Sequence, residues 1–205
     1  KLIKTMSMRF DFQMYCKDHE AFVRNLLGLV SAHPVNADII MSVGMIVDTL
    51  KLSRQTIIQN VEEGAKYNKA ISQGLQHFQT KDTVLSAFGT ILQCLFCSKP
   101  YVKMEGVPLE CSKSVISLVH KHSANKQLLY GLCYWSVFMV HSMDRGKQTT
   151  VDLICMCKEL WLNHSHDAIV TICLCEMISA FFNEWHPNQI PHPFTFDVIM
   201  EKLKY

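Results

Sequence analysis

Nine cysteines and ten histidines are the side chains here with the widest chemical range. Cys94 and Cys97 form a Cys-x-x-Cys, which is half of a zinc site or the reactive pair of a thioredoxin-like fold. A tetrahedral zinc site needs a second pair, and only the single Cys111 and Cys133 follow nearby. Cys155 with Cys157, and Cys173 with Cys175, are two residues apart, so on a helix they point to different faces. His120/His122, His164/His166 and His186/His192 lack the i, i+4 spacing that lets one helix present two imidazoles to zinc. The expectation is therefore no metal and no cofactor, with the cysteines reduced and mostly buried.

Nucleophiles and phosphate loops fare no better. Gly131–Trp135 sets a cysteine beside an aromatic residue, as in the nucleophile region of papain-like proteases. It lacks the Cys-Gly that should precede it there. Gly146-Lys147 would close a phosphate loop only with Gly at 141 and Ser or Thr at 148, where His and Gln stand. No G-x-S-x-G, H-E-x-x-H or G-x-G-x-x-G occurs in the chain. These absences predict that the chain is not an enzyme.

What remains is an architecture. The 205 residues are 49% hydrophobic with 8 Gly and 6 Pro, which fits one compact domain spanning residues 1–205 and excludes disorder. Cysteines set among Leu, Ile and Met read as small buried hydrophobes in a reducing compartment, nuclear or cytoplasmic. The net charge of +2 supplies no strong footprint for nucleic acid. The longest uncharged run, between Lys126 and Asp144, is too short and polar-studded for a membrane span. The chain opens on Lys1 rather than Met, which reads as part of a longer protein.

Four blocks of this sequence align without gaps: residues 39–53, 84–98, 128–142 and 169–183. Their first residues are 45, 44 and 41 apart, a period typical of two- or three-helix repeats. Column five holds Val43, Phe88, Leu132 and Cys173, and column twelve holds Leu50, Leu95, Met139 and Ala180. Column eight holds Ile46, Ile91 and Trp135, then breaks at Glu176. These columns are three or four apart and so share one helical face. Column six holds Gly44, Gly89, Cys133 and Leu174, and its small members predict close approach of a neighbouring helix. Column fifteen ends the blocks on Ser53, Ser98, Ser142 and Asn183, read as turn or cap residues. Between the blocks, Ser112–His122 and Thr150–Asn163 carry helical patterns, with Ser112 as an expected N-cap. Phe10–Val30 is also helical by spacing, His186–Pro193 is a loop or extended arm, and Thr195–Lys204 is a short helix. Glu62 and Glu63 with Lys66 and Lys69 read as a solvated charged face.

Blocks such as VLSAFGTILQCLFCS and LLYGLCYWSVFMVHS resemble the longest helix of armadillo repeats, and SVISLVHKH and TVDLICMCKELWL resemble the helix before it. The resemblance covers roughly residues 36–183 and implies an all-α, right-handed α-solenoid of about four armadillo/HEAT-like repeats. The Asn ladder of peptide-binding importins is absent. Divergent repeats of this kind serve animal chromosome and signalling scaffolds, including factors for meiotic recombination. The implied function is a non-enzymatic adaptor that binds a protein segment, a peptide or a helix, along the repeats.

A stripe distinct from the core columns is the candidate surface, because solenoids bind along extended concave faces. In the middle blocks it carries Ser86, Thr90, Gln93, Tyr130, Tyr134 and His141, hydroxyl and aromatic groups suited to an interface. The alternative is association with nucleic acid through Lys51, Arg54, Lys66, Lys69 and Lys81, which the near-neutral charge and interspersed Glu62, Glu63 and Asp82 weaken.

Overall fold

The computed structural model describes residues 19–50, 61–96, 109–142 and 147–184; side chains are described for most of these, and not for those at several helix ends. The described residues form eight α-helices and no strand. They are α1 (His19–Ala32), α2 (Ala37–Leu50), α3 (Val61–His77), α4 (Asp82–Phe96), α5 (Leu109–Lys121), α6 (Lys126–Ser142), α7 (Lys147–His164) and α8 (Ala168–Glu184). The described residues are all-α, as the period of the blocks predicts, and the described part of each block falls on an even-numbered helix. The expected arm and helix beyond Glu184 lie outside the described residues, as does the part of Phe10–Val30 before His19.

The helices pack in two rows. The even helices follow one another in series, α2 on α4, α4 on α6 and α6 on α8, and the odd helices do the same from α1 to α7. Consecutive helices pair across a short turn: α1 with α2, α3 with α4, α5 with α6, and α7 with α8. Four turns with one backbone signature make these pairs. The amides of Asn36, Lys81, Asn125 and Asp167 donate to the carbonyls of His33, Phe78, His122 and His164, three residues earlier. Those same residues then accept the first helical bonds, from the amides of Ile40, Leu85, Leu129 and Thr171. Asn36, Asn125 and Asp167 also cap with their side chains, satisfying amides that the first turn leaves without partners.

The core lies between the rows. In α4 the residues Val84, Leu85, Phe88, Ile91, Leu92 and Leu95 recur at helical spacing, and all are buried. Trp135 and Phe88 are fully buried, and Phe96 stacks on Phe138 with centroids 4.5 Å apart. The apolar columns are thus core where their side chains are described, with one correction. The cap-to-cap spacings are 45, 44 and 42, so the fourth block starts one residue later than the ungapped alignment places it. The shift brings Leu174 and Met177 into columns five and eight, both buried, and moves the half-buried Glu176 out of the core column.

One further detail extends the sequence reading and two differ from it. The charged stretch at 62–69 belongs to a full helix, α3, whose Tyr67, Ala70, Ile71 and Leu75 are buried. Its seventeen residues include two glycines and many polar groups, which dilute the apolar stripe. Ser112 sits inside α5, four residues into a line that begins at Leu109, and so does not start the helix. Ser142 is the last residue of α6 and Asn183 lies within α8, so the two ends of column fifteen that are described are not equivalent.

Candidate interaction site

The stripe residues sit where each even helix meets the pair that follows. Asn125, the cap of α6, donates from Nδ2 to the Ser86 hydroxyl at 2.9 Å and to the Asp82 carbonyl at 3.3 Å. Gln127 Nε2 donates to Thr90 Oγ1 at 2.9 Å, and Gln93 Nε2 donates to the Gln127 carbonyl at 3.1 Å. Thr90 in turn donates to the Ser86 carbonyl within its own helix. Tyr130 repeats the arrangement one pair further on, its hydroxyl donating to Asp167 Oδ2 at 2.7 Å. Lys126 approaches the same carboxylate at 3.8 Å. Ser86, Thr90, Gln93, Tyr130 and Tyr134 are all half-buried, and Tyr134 packs against the core. His141 lies in α6, and its side chain is outside the described residues.

The polar stripe is therefore a ladder that ties one pair to the next. His122 adds a rung: its ring nitrogens stand 2.9 Å from Asp82 Oδ1 and 2.7 Å from the Gln79 carbonyl, bridging the third turn to the second. Because caps three and four are bonded to the starts of α4 and α6, helices α4, α6 and α8 run parallel with their N-termini at one edge. These bonds set the electrostatics of the site. Burial alone would raise the Asp167 carboxyl, yet the Tyr130 hydroxyl, the Val170 and Ile169 amides and Lys126 together hold it below the usual carboxylate range. The same hydrogen bond to Asp167, with burial and nearby negative charge, pushes the Tyr130 phenol up. Burial pushes His164 below the usual histidine range, helped by His166 and opposed by Asp167.

The remaining chemistry candidates separate in space. Cys94, Cys133 and Cys173 are buried, Cys157 is half-buried and Cys175 exposed, all as free thiols. Cys97 lies outside the described residues. Among the described residues no three His, Cys, Asp or Glu side chains are grouped to hold a metal ion, and no helix is long and apolar enough to cross a membrane. Of the basic residues, Lys66 and Lys69 are exposed on α3, while Lys81 sits at the second turn with Nζ 5.5 Å from the centre of the Phe78 ring. Lys51 and Arg54 are outside the described residues. Three of the four turns begin with histidine and end in Asn or Asp, a pattern that the block alignment passes over. Its only sequence signal is H-x-x-[N/D] recurring just ahead of the blocks.

On α2 the stripe takes a different character. Met41 and Met45, one helical turn apart, are exposed at 37% and 36%, and Val35 in the first turn at 53%. The accessible apolar side chains of this edge thus belong to the first pair and, at Ile172 (58% exposed), to the last, rather than to the middle ones. No family model, curated protein or solved structure matches the chain.

Proposed function

We propose that this chain is a non-enzymatic interaction scaffold, a right-handed α-solenoid of four armadillo/HEAT-like helix pairs that takes a protein segment along the edge of its even helices. The observation that carries the reading is the repeated turn at 33–36, 78–81, 122–125 and 164–167, with even helices packed in series behind it. Identical turns and serial packing make an extended surface in which each pair contacts its neighbours, the geometry that repeat proteins use for binding.

The hydroxyls and amides of Ser86, Thr90, Gln93 and Tyr130 already have partners within the chain. A bound segment would meet the ring faces of Tyr130 and Tyr134 and the side chains of Met41 and Met45. Flexible thioethers beside aromatic rings adapt to an apolar helix or peptide at low entropic cost.

The test is affinity purification with wild type and a Met41→Glu/Met45→Glu variant, compared at low and high salt. A partner retained by wild type at both salt concentrations and lost by the variant, with melting temperature unchanged, supports the reading. Binding that falls steeply with salt and disappears on nuclease treatment overturns it in favour of nucleic acid.

A further inference from the structure

Histidine begins the turns at 33, 122 and 164, and the three rings meet different surroundings. In the third turn the His122 ring reaches back to the second. Its Nδ1 stands 2.9 Å from Asp82 Oδ1 and its Nε2 2.7 Å from the Gln79 carbonyl oxygen, with 14% of the side chain exposed. Both neighbours are acceptors: a carbonyl has no hydrogen to give, and neither has an ionised carboxylate. A neutral imidazole carries one N–H, so it satisfies one of these oxygens and turns a lone pair toward the other. The imidazolium carries two and satisfies both. Histidine is the side chain that passes between those forms from about pH 5 to 8.

The other turns hold the same repeat position differently. One residue after the cap, where the second turn has Asp82, the third has Lys126, which approaches Asp167 at 3.8 Å. His164 has no hydrogen-bond partner on its buried Nε2 among the described residues. Burial holds it below the usual histidine range, so at neutral pH its ring is uncharged. His33 is exposed, with no earlier pair among the described residues.

We propose that His122 is a proton-operated latch between the second and third helix pairs. It is closed when the ring is doubly protonated and half-released when one proton leaves to water. Its contribution to the junction is therefore complete below the histidine range and is lost as pH rises through it. Asp82 favours the closed form, and no other carboxylate lies within 4.0 Å of the ring among the described residues. Cations on the surrounding elements oppose it: Lys81 before α4, Lys121 on the same helix and Lys126 at the start of α6. All three are exposed, so solvent and salt screen them, whereas Asp82 is in contact. His77, the last residue of α3, is also exposed, and Lys66 and Lys69 lie two or more turns before it. On α7, Lys158 is exposed and Glu159 is met by His120 at 4.0 Å. The bonds of Asn125 to Ser86 and of Gln127 to Thr90 cross the same junction and do not titrate. Release of the latch thus loosens the seam without opening the core. The latch works whatever segment binds the even-helix edge.

Hydrogen–deuterium exchange on the full chain tests it, with rates corrected for the intrinsic pH dependence of amide exchange. In wild type, peptides covering 78–85 and 122–129 should lose protection about fivefold between about pH 6 and pH 8, the worth of one net hydrogen bond. Peptides covering 164–171 should change little over that range. His122→Gln, which keeps a donor and never carries a charge, should show the lower protection at both pH values. Asp82→Asn should flatten the response as well, because an amide can donate to a neutral ring as readily as accept from a charged one. Asp82 is exposed, so that variant decides the matter if His122→Gln fails to fold. Unchanged protection of 78–85 and 122–129 in wild type would overturn the proposal. So would an equal loss at 164–171, or a fivefold loss that persists in either folded variant.

Discussion

Trp135 donates its indole N–H to Asn68 Oδ1 at 2.6 Å, joining α6 to α3, two helices outside the main packing pairs of the stack. Both residues are buried, Asn68 at 2% exposure and Trp135 at 0%. An indole without an acceptor in such a place bears its full desolvation penalty. Asn68→Leu, which keeps the volume and removes the acceptor, should therefore cost about 1–3 kcal/mol. Trp135→Phe removes the donor but also opens a cavity and strands the amide, so its cost should be about 2 kcal/mol or more. In chemical denaturation the double variant should lose less than the sum of the two, because they share one bond.

Asp167 makes the stability of the last seam depend on pH in one direction. Its carboxyl titrates below the usual range in the folded chain, so the unfolded state binds protons more readily. The stabilisation is complete above the ordinary carboxylate value of about 3.9 and is lost as pH falls through the lower folded value. Asp167→Asn keeps a capping oxygen but gives up the charge that Lys126 and Tyr130 meet. The melting temperatures of wild type and variant should differ most near neutral pH and converge in strong acid. A gap that persists in strong acid would show that the cap geometry, not the charge, holds the seam. The same substitution should bring the Tyr130 phenol back toward the ordinary tyrosine range in an ultraviolet titration, since the bond to Asp167 is its largest perturbation.

The core was legible in the sequence because its signal is local. Val43, Phe88 and Leu132 recur at one helical position, and each is buried where the period puts it. The fourth block slipped by one residue because Cys173 and Leu174 are adjacent and both buried, so apolar character alone does not fix which of them fills column five. Glu176 in a core column was the sign of that slip. Helix α3 stayed hidden because its exposed face is dense with Lys and Gln, while its buried face mixes Tyr67, Ile71 and Leu75 with the polar Asn68 and Ser72. The ladder could not be read at all, since its partners are 34 to 43 residues apart in the chain. From composition, Ser86, Thr90, Gln93 and Tyr130 resemble groups waiting for a partner. Only the fold shows that Asn125, Gln127 and Asp167 already meet them.

Three helical glycines respond oppositely to one substitution. A Cβ on Gly131 would come within 2.7 Å of Gly89 Cα, and one on Gly89 within 2.6 Å of Leu128 Cα. The obstructing atoms are backbone, so relief requires α4 and α6 to move apart. Gly131→Ala and Gly89→Ala should each destabilise, although Ala alone would favour the helix by about 1 kcal/mol. Gly28 in α1 has nothing within 4 Å of the same added atom. Gly28→Ala should raise stability by about 0.5–1 kcal/mol, and calorimetry on the three variants checks both signs.

The thiols should divide by environment when challenged with an alkylating reagent. Burial pushes Cys157 and Cys173 up to about 12, and Cys133 well above the usual thiol range, where neighbouring thiols add to the effect. The thiolate is the nucleophile, so at neutral pH these three offer almost none to a reagent that could hardly reach them. Cys157 lies 3.9 Å from the Met177 sulfur in the α7–α8 contact, and Cys133 is enclosed in α6. Cys175 is exposed on α8, one helical turn beyond Ile172. Mass spectrometry of the folded protein after brief iodoacetamide treatment should therefore find Cys175 modified ahead of Cys133, Cys157 and Cys173. In denaturant all four should react at similar rates.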